Sequence, residues 1–167
     1  MTALRNMPSL LLDEPSPCHG FEIEWRNAWD SRGHCESWAQ AFDLIEKVGS
    51  CEPWAFLVFA TPSRRFAQCC GSGSSGLAVE VGDGRADPRL VVPRGSEALP
   101  ESLTVCGRWS YWACPLELHA TLSAAAIVRS WLTTTSIAPN FEFRSVHVGG
   151  GWGVGPVRAS FRSAFRD

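Results

Sequence analysis

The sequence predicts an α+β fold in which an antiparallel sheet of about five to six strands carries two main helices packed on one face. Two segments have apolar residues at helical spacing, and most segments with strand-like patterns lie between them along the chain. The length of 167 residues fits a single domain, which we place at 20–146. A flexible N-terminal arm at 1–19 precedes this domain, and a Gly/Arg-rich tail at 147–167 follows it.

The first predicted strand is Phe21 to Trp25, in which apolar residues alternate with acidic ones. Its apolar side chains would face the core, and Glu22 and Glu24 would face water or a partner. The first helix follows, with Asp30 or Ser31 as its N-cap and Gly49 as its stop. Its apolar stripe consists of Trp38, Ala41, Phe42, Ile45 and Val48.

The middle of the chain predicts strands that succeed one another without a helix between them. The continuous apolar run from Trp54 to Ala60 indicates a strand that is buried on both sides. A second strand is expected at about Arg64 to Cys70. The Gly/Ser run at 71–76 then forms a hairpin loop before a third strand, Leu77 to Val81. A short strand at Arg89 to Val92 completes this group.

The last part of the domain predicts a strand, a helix and a final strand. Leu103 to Cys114 is expected to form one strand, with Gly107 at a bend or bulge. The second helix is predicted at Thr121 to Thr133 from its apolar stripe. Phe141 to Arg144 alternates as a closing strand.

Composition and charge restrict the class of protein. Of all residues 45% are hydrophobic, 19% are charged and 11% are aromatic, a composition that argues against an intrinsically disordered chain. The net charge of −2 gives no electrostatic footprint for nucleic acid, so we expect no direct nucleic-acid binding. We find no export signal and no apolar window that could span a membrane, so we expect a cytoplasmic protein without a membrane partner. The seven cysteines are then reduced thiols.

No catalytic or metal-binding pattern stands out. The triplet His34-Cys35-Glu36 matches the first half of the zinc-deaminase signature, but the second half, P-C-x-x-C, is absent. The glycine-rich run at 71–76 lacks the lysine of a phosphate-binding loop. No nucleophile motif accompanies the four histidines. We therefore expect no enzyme, no cofactor and no metal, although an enzyme with an unrecognised site remains an alternative.

A binding function is favoured by the aromatic segment that contains Arg108, Trp109, Tyr111 and Trp112. Tryptophan, tyrosine and arginine are the residues that most often carry the energy of protein interfaces. On a strand, Trp109 and Tyr111 would share one side, and Arg108 and Trp112 the other. Core packing of the aromatic side chains is the alternative reading of this segment.

Three stretches carry a resemblance to a known family. They are the strand Phe21 to Trp25 with the helix to Val48, the segment Gly76 to Gly84 with the strand Cys106 to Cys114, and the ending from Ala124 to Phe143. Across about residues 20–146 the chain resembles the immunity proteins encoded beside bacterial polymorphic toxins, including toxins with nucleic-acid deaminase domains.

The resemblance implies a protein that binds a cognate toxin domain in the cytoplasm of the producing cell and covers its active site. Toxins that act on nucleic acid tend to have basic clefts, so their inhibitors should present acidic residues. The acids expected at the interface are Glu80, Asp83, Asp87 and Glu117. The alternative function is that of another protein-binding or small-ligand-binding α+β module, and the oligomeric state is left open.

Overall fold

The structure is a computed structural model that describes residues 22–72, 75–84, 88–96, 102–106, 109–113 and 115–145. The predicted arm at 1–19 and the predicted tail at 147–167 lie outside the described residues. The described part confirms the α+β class, with an antiparallel seven-stranded sheet and two α-helices.

The strands and helices follow in the order β1 Ile23–Asn27, β2 Arg32–Cys35, α1 Trp38–Glu46, β3 Phe56–Ala60, β4 Phe66–Ser72, β5 Gly76–Gly82, β6 Arg89–Pro93, β7 Ser102–Cys106, β8 Trp109–Ala113, α2 Thr121–Thr134 and β9 Phe141–Ser145. Short 3₁₀ turns lie at Glu52–Trp54 and Pro115–Glu117.

The main sheet has the strand order β2-β1-β3-β4-β5-β6-β9, and every neighbouring pair is antiparallel. It has more strands than expected because Arg32–Cys35 forms an additional edge strand against β1. Within the described residues, β2 and β9 are therefore the two edges of the sheet. The last strand reaches β6 only after the chain has formed β7, β8 and α2.

The first helix is shorter than predicted because its N-cap is Ser37 and not Asp30 or Ser31. The Ser37 hydroxyl accepts a hydrogen bond from the backbone N–H of Gln40 at 3.2 Å, which satisfies one of the unpaired donors of the first turn. Asp30 instead lies in the turn between β1 and β2, with φ at +62°. That turn sends the chain back along β1 before the helix begins.

The prediction of one strand from Leu103 to Cys114 is wrong. The chain forms two paired strands, β7 and β8, which make a separate two-stranded sheet that we call the second-face hairpin. The bend or bulge predicted at Gly107 lies outside the described residues. Cys106 of β7 pairs with Trp109 of β8 in this two-stranded sheet.

Both helices lie on one side of the main sheet, as predicted. This first face has the larger apolar core, in which α2 contacts β4 and β5 and packs beside α1. The buried sheet residues of this core are Ile23, Cys35, Leu57, Phe59, Ala67, Cys69, Leu77, Val79, Val81 and Val91. Because side chains alternate along a strand, the intervening residues point to the opposite side, which we call the second face.

The second face is buried as well. Its apolar cluster consists of Phe56, Val58, Cys70, Ala78, Leu90 and Val92, each no more than 4% exposed. The strand β7 contacts β4, which is the fourth of the seven strands. The second-face cluster is nearly without solvent exposure, so part of the chain must lie over it, and α2 lies on the first face beside β4. The second-face hairpin therefore covers this apolar cluster, and the fold has three layers.

Candidate protein-binding surfaces

The predicted interface acid Glu80 lies in the middle of β5 and is only 5% exposed. It sits directly opposite Gln68 of β4 and points to the second face, below the second-face hairpin. The expectation of a surface acid is therefore not met at this position. Glu80 belongs to the interior of the folded protein, where its interactions are internal.

Glu117 is also buried, with a relative exposure of 2%. Its carboxylate accepts a hydrogen bond from the Arg144 guanidinium, and the Nη2 to Oε2 distance is 2.6 Å. Because a buried carboxylate without a partner is costly, this ion pair ties the 3₁₀ turn that contains Glu117 to the edge strand β9. The role of Glu117 in the described structure is to hold these two elements together.

The remaining predicted interface residues are one exposed acid, the residues of the aromatic strand and two residues outside the described part of the chain. Asp83 is exposed directly after β5. Asp87 and Arg108 lie outside the described residues. Trp109, Tyr111 and Trp112 belong to β8, and their backbones pair with Cys106, Thr104 and Leu103 of β7. The structure thus brings Glu80, Glu117 and the aromatic strand to the second face, whereas Asp83 lies at the end of β5.

The centre of the second face contains an unusual polar side chain. Gln68 has no solvent exposure, and neither its Oε1 nor its Nε2 has a hydrogen-bond partner among the described residues. The neighbours of Gln68 across the sheet are Val58 of β3 and Glu80 of β5. A buried amide without partners costs free energy, so this position is a weak point of the layer between the sheet and the second-face hairpin.

A second surface is formed by residues 22–36, which comprise β1, β2, the turn between them and one flanking residue at each end. Of these residues the sequence predicts only Glu22 and Glu24 to face water or a partner. We call this unit the edge hairpin. Trp29 lies at its tip and is 56% exposed, the largest exposure of any large apolar side chain in the described residues. The residue in the sequence that could have indicated the turn between β1 and β2 is Asn27, because asparagine often orders a turn through its side chain.

The turn of the edge hairpin is held by side-chain hydrogen bonds. The Oδ1 of Asn27 accepts the backbone N–H groups of Trp29 and Ser31, at 3.0 and 3.1 Å. The carboxylate of Asp30 forms ion pairs with Arg26 and Arg32, at 3.3 and 3.0 Å. These contacts fix the backbone on both sides of the exposed tryptophan.

The outer surface of the edge hairpin is acidic. Residues 22–36 contain four carboxylates and two guanidinium groups, which gives a net charge of −2. Asp30 is already paired with the two arginines. Glu22, Glu24 and Glu36 are exposed and form no ion pair with any described residue. The exposure of Glu22 and Glu24 agrees with the strand pattern that the sequence predicts for this segment.

The buried titratable groups of the first face serve packing. His119 is 3% exposed, and its Nε2 donates a hydrogen bond to the Val91 carbonyl at 2.8 Å. Burial lowers the pKa of this imidazole, although the bond to Val91 acts in the opposite direction. Burial also raises the pKa of the Cys35 thiol to about 11 and that of the Cys69 thiol to about 12, so both remain protonated.

Metal-binding and membrane-spanning features are not found in the described part of the chain. No three histidine, cysteine or acidic side chains there lie close enough together to hold a metal ion. No helix among the described residues is both long and apolar enough to cross a membrane. Comparisons with protein-family models, with curated protein sequences and with solved structures find no match to this chain.

Proposed function

We propose that this protein is an immunity protein that binds a cognate bacterial toxin domain and covers its active site, without catalysis of its own. The observation that supports the proposal best is the acidic edge hairpin. Glu22, Glu24 and Glu36 are exposed on it without an ion-pair partner among the described residues. Exposed carboxylates of this kind complement the basic cleft of a toxin that acts on nucleic acid, such as a deaminase.

The fold is compatible with this function. The resemblance to immunity proteins rests in part on a strand and helix near the start and on a helix followed by a last strand, and these elements are present. The strand Cys106 to Cys114, on which the resemblance also rests, is replaced by the paired strands β7 and β8. The edge hairpin replaces the acids Glu80 and Glu117 in the proposal, because those two side chains are buried. Because β1 pairs with β3, the edge hairpin is part of the main sheet, which would hold the carboxylates at fixed positions and favour specific recognition.

The test is co-expression with the product of the neighbouring open reading frame. We expect that product alone to stop growth, and this protein to restore growth and to co-purify with it. The triple charge reversal Glu22→Lys, Glu24→Lys and Glu36→Lys should weaken the complex and abolish protection. Asp43→Lys is the control, because Asp43 is an exposed acid in the middle of α1, outside the edge hairpin. Absence of toxicity and of a complex would overturn the proposal.

A second candidate function is the binding of a small polar ligand between the sheet and the second-face hairpin. The observation that favours it is the buried amide of Gln68, which has no hydrogen-bond partner among the described residues. A ligand with both a donor and an acceptor would satisfy this amide. A thermal-shift screen of polar metabolites tests this candidate, since a ligand that binds the folded state raises Tm. The increase should disappear in Gln68→Met.

A further inference from the structure

The tip of the edge hairpin presents a tryptophan that the fold does not use for its own core. Trp29 is 56% exposed, whereas Trp25, Trp38, Trp54 and Trp131 are buried or pack against the core of the first face. An indole offers a large contact area and one N–H donor, and tryptophan is among the residues most enriched at binding hot spots. Its exposure leaves this contact area available to another molecule.

The backbone that carries Trp29 is unusually well fixed for a surface turn. The buried side chain of Asn27 accepts hydrogen bonds from the backbone N–H groups of Trp29 itself and of Ser31, two residues later. The N–H of Ala28 donates to the Pro53 carbonyl at 3.1 Å, which ties the turn to the 3₁₀ turn before β3. Because the loop is already ordered, a partner that binds the indole would not have to order it again.

The turn also contains a conformation that non-glycine residues seldom adopt. Asp30 has φ at +62°, in the left-handed region, and its carboxylate is held by Arg26 and Arg32. Backbone strain of this kind persists only where surrounding contacts fix it, and it is often found at binding sites. Here the strained residue follows Trp29 directly and sets the direction in which the chain leaves the tip.

The charges around the tip indicate what kind of surface can receive it. Trp29 and Glu22 are seven positions apart in the sequence. In an extended strand this separation corresponds to a distance of at most about 23 Å. The tryptophan and the acidic side chains of the edge hairpin therefore fit within one interface of standard size, about 800 Å² on each partner. A matching surface has an apolar pocket for the indole and basic side chains beside it.

From these observations we infer that Trp29 is the anchor by which this protein binds its toxin, and that it inserts into an apolar pocket beside the basic cleft. This inference rests on the proposed function and names the contact that gives the complex its affinity. The carboxylates of the edge hairpin guide the approach of the basic toxin, and Trp29 slows dissociation. Asn27 acts as a positioning residue, because it holds the turn without contact to the partner.

The experiment measures the dissociation constant between this protein and the purified product of the neighbouring open reading frame. Trp29→Ala should raise Kd at least about 30-fold, the effect of a hot-spot residue, with little change in Tm. Trp29→Phe should recover part of the affinity. Leu122→Ala is the matched control, because Leu122 is an exposed apolar residue of α2, and its Kd should change less than about threefold.

Each outcome separates the inference from the proposed function. Tight binding by the wild type together with equal binding by Trp29→Ala would overturn the inference and leave the proposed function intact. No binding by the wild type would overturn the proposed function and the inference with it. A wild-type dimer that Trp29→Ala dissociates, with toxin binding unchanged, would assign the tip to contact with a second copy of this chain and would also overturn the inference.

Discussion

Replacing Gln68 by methionine should stabilise the protein. The side chain lies in the central strand of the sheet without solvent exposure, and its amide has no hydrogen-bond partner among the described residues. Methionine has a similar length and shape but no amide to desolvate. A buried polar group without a partner costs about 1–3 kcal/mol, and the substitution removes that cost.

The structure also sets an upper limit to the gain. Methionine has to pack between Val58 and Glu80, and an imperfect fit there would take back part of the gain. We therefore expect the free energy of unfolding to rise by about 1–2 kcal/mol. For a chain of this size that corresponds to a rise in Tm of about 3–6 °C. Urea unfolding and differential scanning calorimetry both measure the change.

Gln40→Met provides a matched control in the same chain. The side-chain oxygen of Gln40 accepts the backbone N–H of Glu36 at 2.7 Å, so this amide has a partner to lose. The control should be neutral or destabilising by up to about 1 kcal/mol. If Gln68→Met destabilised the protein by about 1 kcal/mol or more, the Gln68 amide would be hydrogen-bonded in solution. Such a loss of stability would contradict the absence of a partner for this amide.

Three further predictions concern packing and titration. Burial lowers the pKa of His119, so on acidification the unfolded chain takes up the proton before the folded one does. The free energy of unfolding should therefore fall as the pH drops below 6.5, by at most about 1.4 kcal/mol per pH unit. Urea titrations at pH 7 and 5.5 should show a smaller loss of stability in His119→Gln than in the wild type. Gly82→Ala should destabilise by about 1–3 kcal/mol because its methyl group would overlap the Phe66 ring, and Phe66→Leu in the same chain should reduce that penalty. Iodoacetamide at pH 8 should label the exposed Cys51 of the native protein but not Cys69, because Cys69 is buried and its burial raises the thiol pKa to about 12. Peptide mass spectrometry measures the labelling of each thiol, and equal labelling of both would contradict the described burial.

The elements that could be predicted from the sequence are those with a strong local signal. The strand Phe56–Ala60 is a continuous apolar run, and the helix Thr121–Thr134 has a complete apolar stripe, so both lie within two residues of the predicted bounds. The strand Arg32–Cys35 has no such signal. Only Cys35 is buried in it, and its structure comes from pairing with β1 and from the Asn27 turn.

The candidate site was harder to predict because burial depends on distant parts of the chain. The alternation Leu77, Val79, Val81 shows that Glu80 faces the other side of the sheet, which looks like a solvent side in isolation. The sequence does not show that the second-face hairpin covers that side. The same kind of alternation predicts that Glu22 and Glu24 are exposed, and this prediction is confirmed. It holds there because no described element covers that edge of the sheet.

The late position of β9 in the chain bears on how the protein is made. The strands β1 to β6 are neighbours in the sheet in nearly the order in which they are synthesised, but α2 and β9 emerge later. Until residue 121 has left the ribosome, α1 is the only helix among the described residues on the first face, and no described strand pairs with the outer side of β6, which has Val91 at its centre. Open strand edges and uncovered apolar faces are prone to association. A nascent chain of this protein therefore passes through a stage in which molecular chaperones are expected to bind it, and that stage ends when α2 and β9 close the sheet.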